Sequence, residues 1–234
     1  MKTLYLLIDF FTVIIPLLFS FHHRIKFYNR WKEFFMASVL AAIIFISWDV
    51  IFTSAGIWSF NQRYITGIYF LNLPIEEVLF FFCIPFSCVF TYYCLDKFYR
   101  LNWPPAAENI FCIFFSAGLF IAGLLFHEKL YTSVTFLSTA LLCVLLKFVF
   151  RVSWFGKAIS VYAILLVPFL IVNGILTAKP VVMYNSGEML GIRLFTIPAE
   201  DMIYGLELFL LNLSFYLFLA SPPTHSPSEG SRGT

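Results

Sequence analysis

Seven stretches of nearly unbroken apolar residues follow one another along the chain, near residues 4 to 21, 34 to 54, 75 to 95, 107 to 126, 131 to 150, 157 to 177 and 199 to 220. Each suffices for one crossing of a bilayer core, which takes about 20 apolar residues. The pattern predicts an all-α integral membrane protein of about seven transmembrane helices. The stretch from Ser221, SPPTHSPSEGSRGT, is polar and rich in Pro and Ser, and predicts a disordered tail over residues 221 to 234.

The polar interruptions predict an orientation. Lys and Arg gather after the first, third and fifth runs (Arg24, Lys26, Arg30 and Lys32; Lys97 and Arg100; Arg151 and Lys157), whereas the segments after the second, fourth and sixth carry mainly Arg63, Lys129, Lys179 and Arg193. By the positive-inside rule the first group faces the cytoplasm, which puts the N-terminus outside and the C-terminus inside a multi-pass protein of the cell membrane. The first run leads into a basic patch with no small-residue cleavage site, so it is expected to remain as a helix. Composition agrees: 61% of residues are hydrophobic and 12% charged, too little polar surface for a soluble domain, and no nucleic-acid partner is expected. The five cysteines lie in or beside apolar runs without CxxC spacing, and no metal site is expected.

One gap-free offset, 124 residues, superimposes residues 49 to 79 on residues 173 to 203. Identical pairs include Asn61 with Asn185, Gly67 with Gly191, Pro74 with Pro198 and Glu76 with Glu200, and Glu77 meets Asp201. The offset predicts a three-helix unit over residues 1 to 95, a linker helix over 96 to 127 and a second unit over 128 to 220. That is a parallel 3+1+3 repeat, and sites in such folds lie at the interface between the copies.

Each copy carries a proline, one apolar residue and two acids at the mouth of an apolar run: Pro74-Ile75-Glu76-Glu77 and Pro198-Ala199-Glu200-Asp201. A proline and carboxylates in the first turn also suit a helix N-terminus, where each acid contributes about 0.3–1 kcal/mol. An ionised acid near the hydrocarbon centre costs roughly 2.5–3.5 kcal/mol, more than capping returns, so a pair held there points to function. Adjacent carboxylates in an apolar site do not both ionise cheaply, which leaves one acid holding a proton it can donate. At helical spacing Glu200, Tyr204 and Glu207 form one stripe, and Glu76, Phe80 and Cys83 the matching one. Asp49 and Asn173 are repeat mates that either face the acids or bond between helices. Asn61 and Asn185, also mates, either form turns or orient the acids.

The chain resembles a known family, the small membrane-embedded lycopene cyclases of bacteria, archaea and fungi, whose two homologous halves occur separately or fused. The likeness covers the chain to about residue 220. It rests on Gly56-Ile57-Trp58, Phe60-Asn61, Gly67 and Pro74-Ile75-Glu76-Glu77, and on Val172-Asn173-Gly174, Tyr184-Asn185, Gly191-Ile192-Arg193 and Thr196-Ile197-Pro198-Ala199-Glu200-Asp201. The resemblance implies a fused two-half enzyme that takes lycopene, or a related acyclic carotenoid, from the lipid. It implies redox-neutral, acid-catalysed closure of the end groups to β rings through a carbocation, without a cofactor. Carried onto this sequence, Glu76, Glu77, Glu200 and Asp201 form the catalytic set. Asp49, Asn61, Asn173, Asn185, Arg193 and Glu207 help to bind or orient, and Phe80 and Tyr204 shield the cation.

Two other readings compete. A membrane aromatic prenyltransferase needs aspartate-rich diphosphate motifs, and no DDxxD or DxxxD run is present. A 3+1+3 small-solute transporter predicts polar residues along a path and gating prolines repeated between copies, but Pro16, Pro85 and Pro168 do not follow the offset.

Overall fold

The apolar runs form seven helices: α1 (Leu4–Phe19), α2 (Trp31–Ser54), α3 (Ile75–Phe98), α4 (Pro105–Leu125), α5 (Leu130–Val144), α6 (Phe155–Ala178) and α7 (Ala199–Ala220). The computed structural model describes residues 2–220, and the tail expected at 221–234 lies outside them. Six spans, those of α2 to α7, are long and apolar enough to cross a membrane. The seventh predicted crossing falls short: α1 has 16 residues, a rise of about 24 Å. It lies against α3, and the backbone N–H of Tyr5 reaches the Tyr64 carbonyl at 3.2 Å.

The basic loops meet at one end of the bundle. There Lys97 donates to the Ile25 carbonyl at 3.1 Å, Lys157 pairs with Asp96, and the Trp103 indole donates to Ser160 at 2.7 Å. Just inside this end, Glu108 of α4 is buried, pairs with Lys147 and accepts from the Gly156 N–H at 3.2 Å. This cluster ties α4 to the π-helical turn that continues α5 (Leu145–Val149) and to α6.

At the opposite end the loops after α2 and α6 form short strands, β1 (Trp58–Phe60), β2 (Tyr69–Phe70), β3 (Leu73–Pro74), β4 (Val182–Tyr184), β5 (Arg193–Leu194) and β6 (Ile197–Pro198). β2 pairs with β3, and β5 with β6, in antiparallel hairpins whose registers differ by 124 residues throughout. Leu71 and Phe195, one in each hairpin turn, both sit in the left-handed region at φ 55° and 57°. That conformation costs a side-chain-bearing residue about 1–2 kcal/mol. Both residues are exposed, at 71% and 86%, where lipid can cover them.

β1 and β4 pair with each other, antiparallel, and the central couple is Ser59 with Met183, which are themselves 124 residues apart. The flanking bonds are reciprocal: the Asn61 N–H donates to the Val181 carbonyl at 3.0 Å and the Asn185 N–H to the Ile57 carbonyl at 2.8 Å. Equivalent segments exchanging equivalent bonds is the signature of an isologous, two-fold contact.

One acid of each pair fastens its hairpin. Glu76 accepts from the Thr66 N–H and Glu200 from the Leu190 N–H, both at 2.6 Å and both across ten residues, and Glu200 also accepts from the Thr132 hydroxyl at 2.6 Å. Both side chains are fully buried, so losing either leaves a backbone donor unpaired, at a cost of about 1–3 kcal/mol.

Glu76→Ala and Glu200→Ala are therefore expected to lower stability by about 1–3 kcal/mol each, read as earlier thermal unfolding in detergent; unfolding at the wild-type temperature would remove the fastening role. Lys147→Ala, which strands Glu108, is expected to cost about 3–5 kcal/mol, whereas replacing both partners by Met and Leu restores most of it. Unfolding curves of the three proteins test this, and a double variant no better than the single one would contradict it.

Candidate active site

A cavity of about 130 Å³ lies between the helices beneath the paired β1 and β4 strands. Three carboxylates line it: Asp49 near the end of α2, Glu77 in the first turn of α3 and Asp201 in the first turn of α7. All are nearly inaccessible, at 2%, 8% and 5% exposure. Burial at that level demands partners, and tyrosines provide them. The Tyr5 hydroxyl donates to Glu77 at 2.7 Å, Tyr131 and Tyr184 donate to the two oxygens of Asp201 at 2.7 and 2.8 Å, and Tyr204 donates to Asp49 at 2.8 Å. Asp49 and Glu77 are also within hydrogen-bond reach of each other. Burial, then the charge of Asp201, pushes the Tyr184 phenol well above its ordinary range, so it remains a donor.

The rest of the wall is aromatic and apolar. Trp58 sits edge-on to Tyr131 at 5.2 Å and to Tyr204 at 6.3 Å, and Tyr131 stacks on Tyr184 at 6.0 Å. Phe60, Phe80 and Phe169 continue the lining, with Leu165, Pro168, Val172, Asn173 and Leu176 from α6.

The structure separates the residues singled out in the sequence into two groups. Glu77, Asp201, Asp49, Asn173, Phe80 and Tyr204 come together on the cavity wall. Glu76 and Glu200 turn away from it to the hairpins, and Glu207 turns to α5, where Ser138 and Thr139 donate to it at 2.8 and 2.9 Å. The cavity stripe on α7 is therefore Asp201, Tyr204, Gly205 and Leu208, and that on α3 is Glu77, Phe80, Ile84 and Ser87, each starting one residue later than the stripes drawn from the sequence. Asn61 and Asn185 form turns: each side-chain oxygen accepts the N–H two residues on, from Arg63 and Gly187, at 3.0 Å. Arg193 braces its own hairpin by donating to the Thr196 carbonyl at 2.7 Å. Asp49 does lie against an acid of its own copy, but against Glu77, and its tyrosine comes from the other half of the chain.

Tyr5, Tyr131 and Trp58 were not singled out from the sequence as partners of the acids or wall of the site. The signal existed in the two tyrosines, each near the start of an apolar run and each bonded to the second acid of a pair. They lie 126 residues apart, however, so an ungapped offset of 124 aligns Tyr5 with Lys129.

Buried carboxyls, tyrosine donors and an aromatic wall suit acid–base chemistry on an apolar molecule, and comparison with known proteins agrees. The chain has no match among curated proteins or among solved structures. A family model described as Lycopene cyclase matches residues 2–95 and 128–219, leaving out the segment that holds α4. The first matched segment supplies Asp49 and Glu77 and the second supplies Asp201, the acids that meet in the cavity, and the chain belongs to the lycopene cyclase family.

Proposed function

We propose that the protein is a lycopene β-cyclase in which Asp49, Glu77 and Asp201 handle the protons, and that its halves form a parallel 3+1+3 repeat about the β1–β4 pair. The observation that carries the reading is the convergence of buried carboxyls from both halves on one aromatic cavity. The reciprocal strand bonds support the repeat, and the basic loops at the far end support an outward-facing site with the C-terminal end of α7 inside.

The chemistry uses these groups in order. A hydrogen bond between two carboxyl groups requires one of them to hold a proton, and the Asp49–Glu77 contact is such a place. That proton passes to C2 of the terminal double bond of lycopene and leaves a tertiary cation at C1. The C5–C6 double bond attacks through C6, closing the ring and moving the cation to C5. Loss of the proton at C6 to a carboxylate then gives the C5–C6 alkene of a β ring, which is conjugated with the chain. One proton enters and one leaves, so no electron is gained or lost. Asp201 is the carboxylate opposite, held by its two tyrosines, and suits the base. The rings of Trp58, Phe80 and Tyr204 face the cation, each interaction worth roughly 2 kcal/mol when desolvated, and exclude the water that would trap it.

Glu76 and Glu200 serve by holding the hairpins that place Glu77 and Asp201, one residue on. Glu77→Gln and Asp201→Asn are each expected to lower cyclisation by about 10²–10⁴-fold, measured by chromatography of pigments from bacteria that accumulate lycopene. Unchanged lycopene in cells carrying the wild-type protein would refute the assignment, and full activity in both variants would refute the mechanism. Tyr204→Phe, which keeps the ring and removes the donor to Asp49, is expected to retain product at a rate lowered roughly tenfold; a wild-type rate would show that the hydroxyl is dispensable.

A further inference from the structure

The two halves are not packed alike. α2 meets the bundle with Ala37, Ser38, Ala41 and Ala42, all buried. The positions 124 residues later, on α6, are Val161, Tyr162, Leu165 and Leu166. Small residues let helices approach closely and large ones hold them apart. The consequence is visible in burial: 39% of the most apolar stretch of the α2 span lies inside the protein, against 17% for α6.

The helices facing them carry the complementary change. Phe81 of α3 is fully buried against Ala42 and Phe45, and the Ser38 hydroxyl donates to its carbonyl at 3.4 Å. Its mate on α7 is Gly205, which lines the cavity. A Cβ at Gly205 would stand 2.9 Å from the Tyr162 hydroxyl and 3.1 Å from the Phe169 ring. That hydroxyl reaches past the glycine to the Met202 carbonyl at 2.5 Å. A small–large pair, Ser38 with Phe81, thus closes the first half, and a large–small pair, Tyr162 with Gly205, props the second half open.

Resting on the cyclase reading, we propose that the protein has one catalytic centre, opened by the stand-off of α6, whose Tyr162 takes the room left by the missing side chain at Gly205, and that lycopene end groups enter it one at a time from the lipid. Both second acids, Glu77 and Asp201, already face this single cavity. Its lining includes half-buried Thr12 of α1 and Ser87 of α3 and exposed Pro168 of α6, so the cavity reaches the lipid-facing surface between α6 and the α1–α3 pair. Pro168 lies inside α6 and has no N–H for the preceding turn, which loosens the helix where an end group passes. A cavity of about 130 Å³ takes one end of a forty-carbon chain and leaves the remainder in the bilayer.

The test is to install the closed pair of the first half in the second, as Tyr162→Ser with Gly205→Phe, in cells that accumulate lycopene. This combination already packs at Ser38 and Phe81, so the variant is expected to reach the membrane and unfold near the wild-type temperature while both monocyclic and bicyclic products fall by about 100-fold. Leu165→Trp, which fills the cavity from α6, is expected to give the same loss. In the wild type with limiting enzyme, free monocyclic product is expected to accumulate before any bicyclic product. Retention of cyclisation in a folded filled variant overturns the proposal, as does loss of only one ring closure or bicyclic product without a monocyclic lag. Wild-type protein that leaves lycopene unchanged overturns the cyclase reading instead, and that result is seen before any variant is compared.

Discussion

Carboxyl groups buried in a lipid-covered bundle are costly without donors, and at the end of the molecule that holds the cavity donors meet five of them, while the equally buried Asp9 of α1 has no hydrogen-bond partner among the described residues. No lysine or arginine is hydrogen-bonded or ion-paired to Asp49, Glu76, Glu77, Glu200 or Asp201 among the described residues; the donors are backbone N–H groups, one threonine and four tyrosines. Neutral donors steady a carboxylate without cancelling its charge. At the opposite end Glu108 is matched by Lys147, the arrangement of a group that ties helices together.

The adjacent acids divide the work because of helix geometry. Successive residues on an α-helix are about 100° apart, so two neighbouring side chains leave the helix in different directions. In each half the first acid turns back to its hairpin and the second turns into the bundle. The hairpin bond fixes the first turn of the helix, and that turn fixes where the next carboxylate points. Glu76 and Glu200 therefore bear on the cavity through position, without lining it.

Pairing between β1 and β4 gives the bundle its common roof, since the equivalent loops bond reciprocally and bring Trp58 and Tyr184 over one space. Near-symmetry alone would give two equivalent spaces. Residues at equivalent positions differ in size, alanines against leucine and valine, phenylalanine against glycine, and the packed volume shifts to one side. The same differences explain why α6 supplies much of the cavity wall while α2 supplies only Asp49.

Much of this was legible in the sequence. Long apolar runs demand helices wherever they are covered by lipid, because the backbone has no other partner there, and the acidic pairs with their prolines marked the starts of the helices whose second acids line the cavity. The offset of 124 residues recurs in the hairpin registers and the strand pair. The sequence did not tell which acid of each pair faces inward, because a helix's rotation about its own axis is set by packing against its neighbours; of the four acids it offered, Glu77 and Asp201 line the cavity. Nor did it tell that Tyr5 and Tyr131 hold those acids, since a two-residue slip in the first helix of each half is invisible to an ungapped comparison. The distance at which α6 stands was likewise decided only in three dimensions, where side chains from separate helices compete for the same volume.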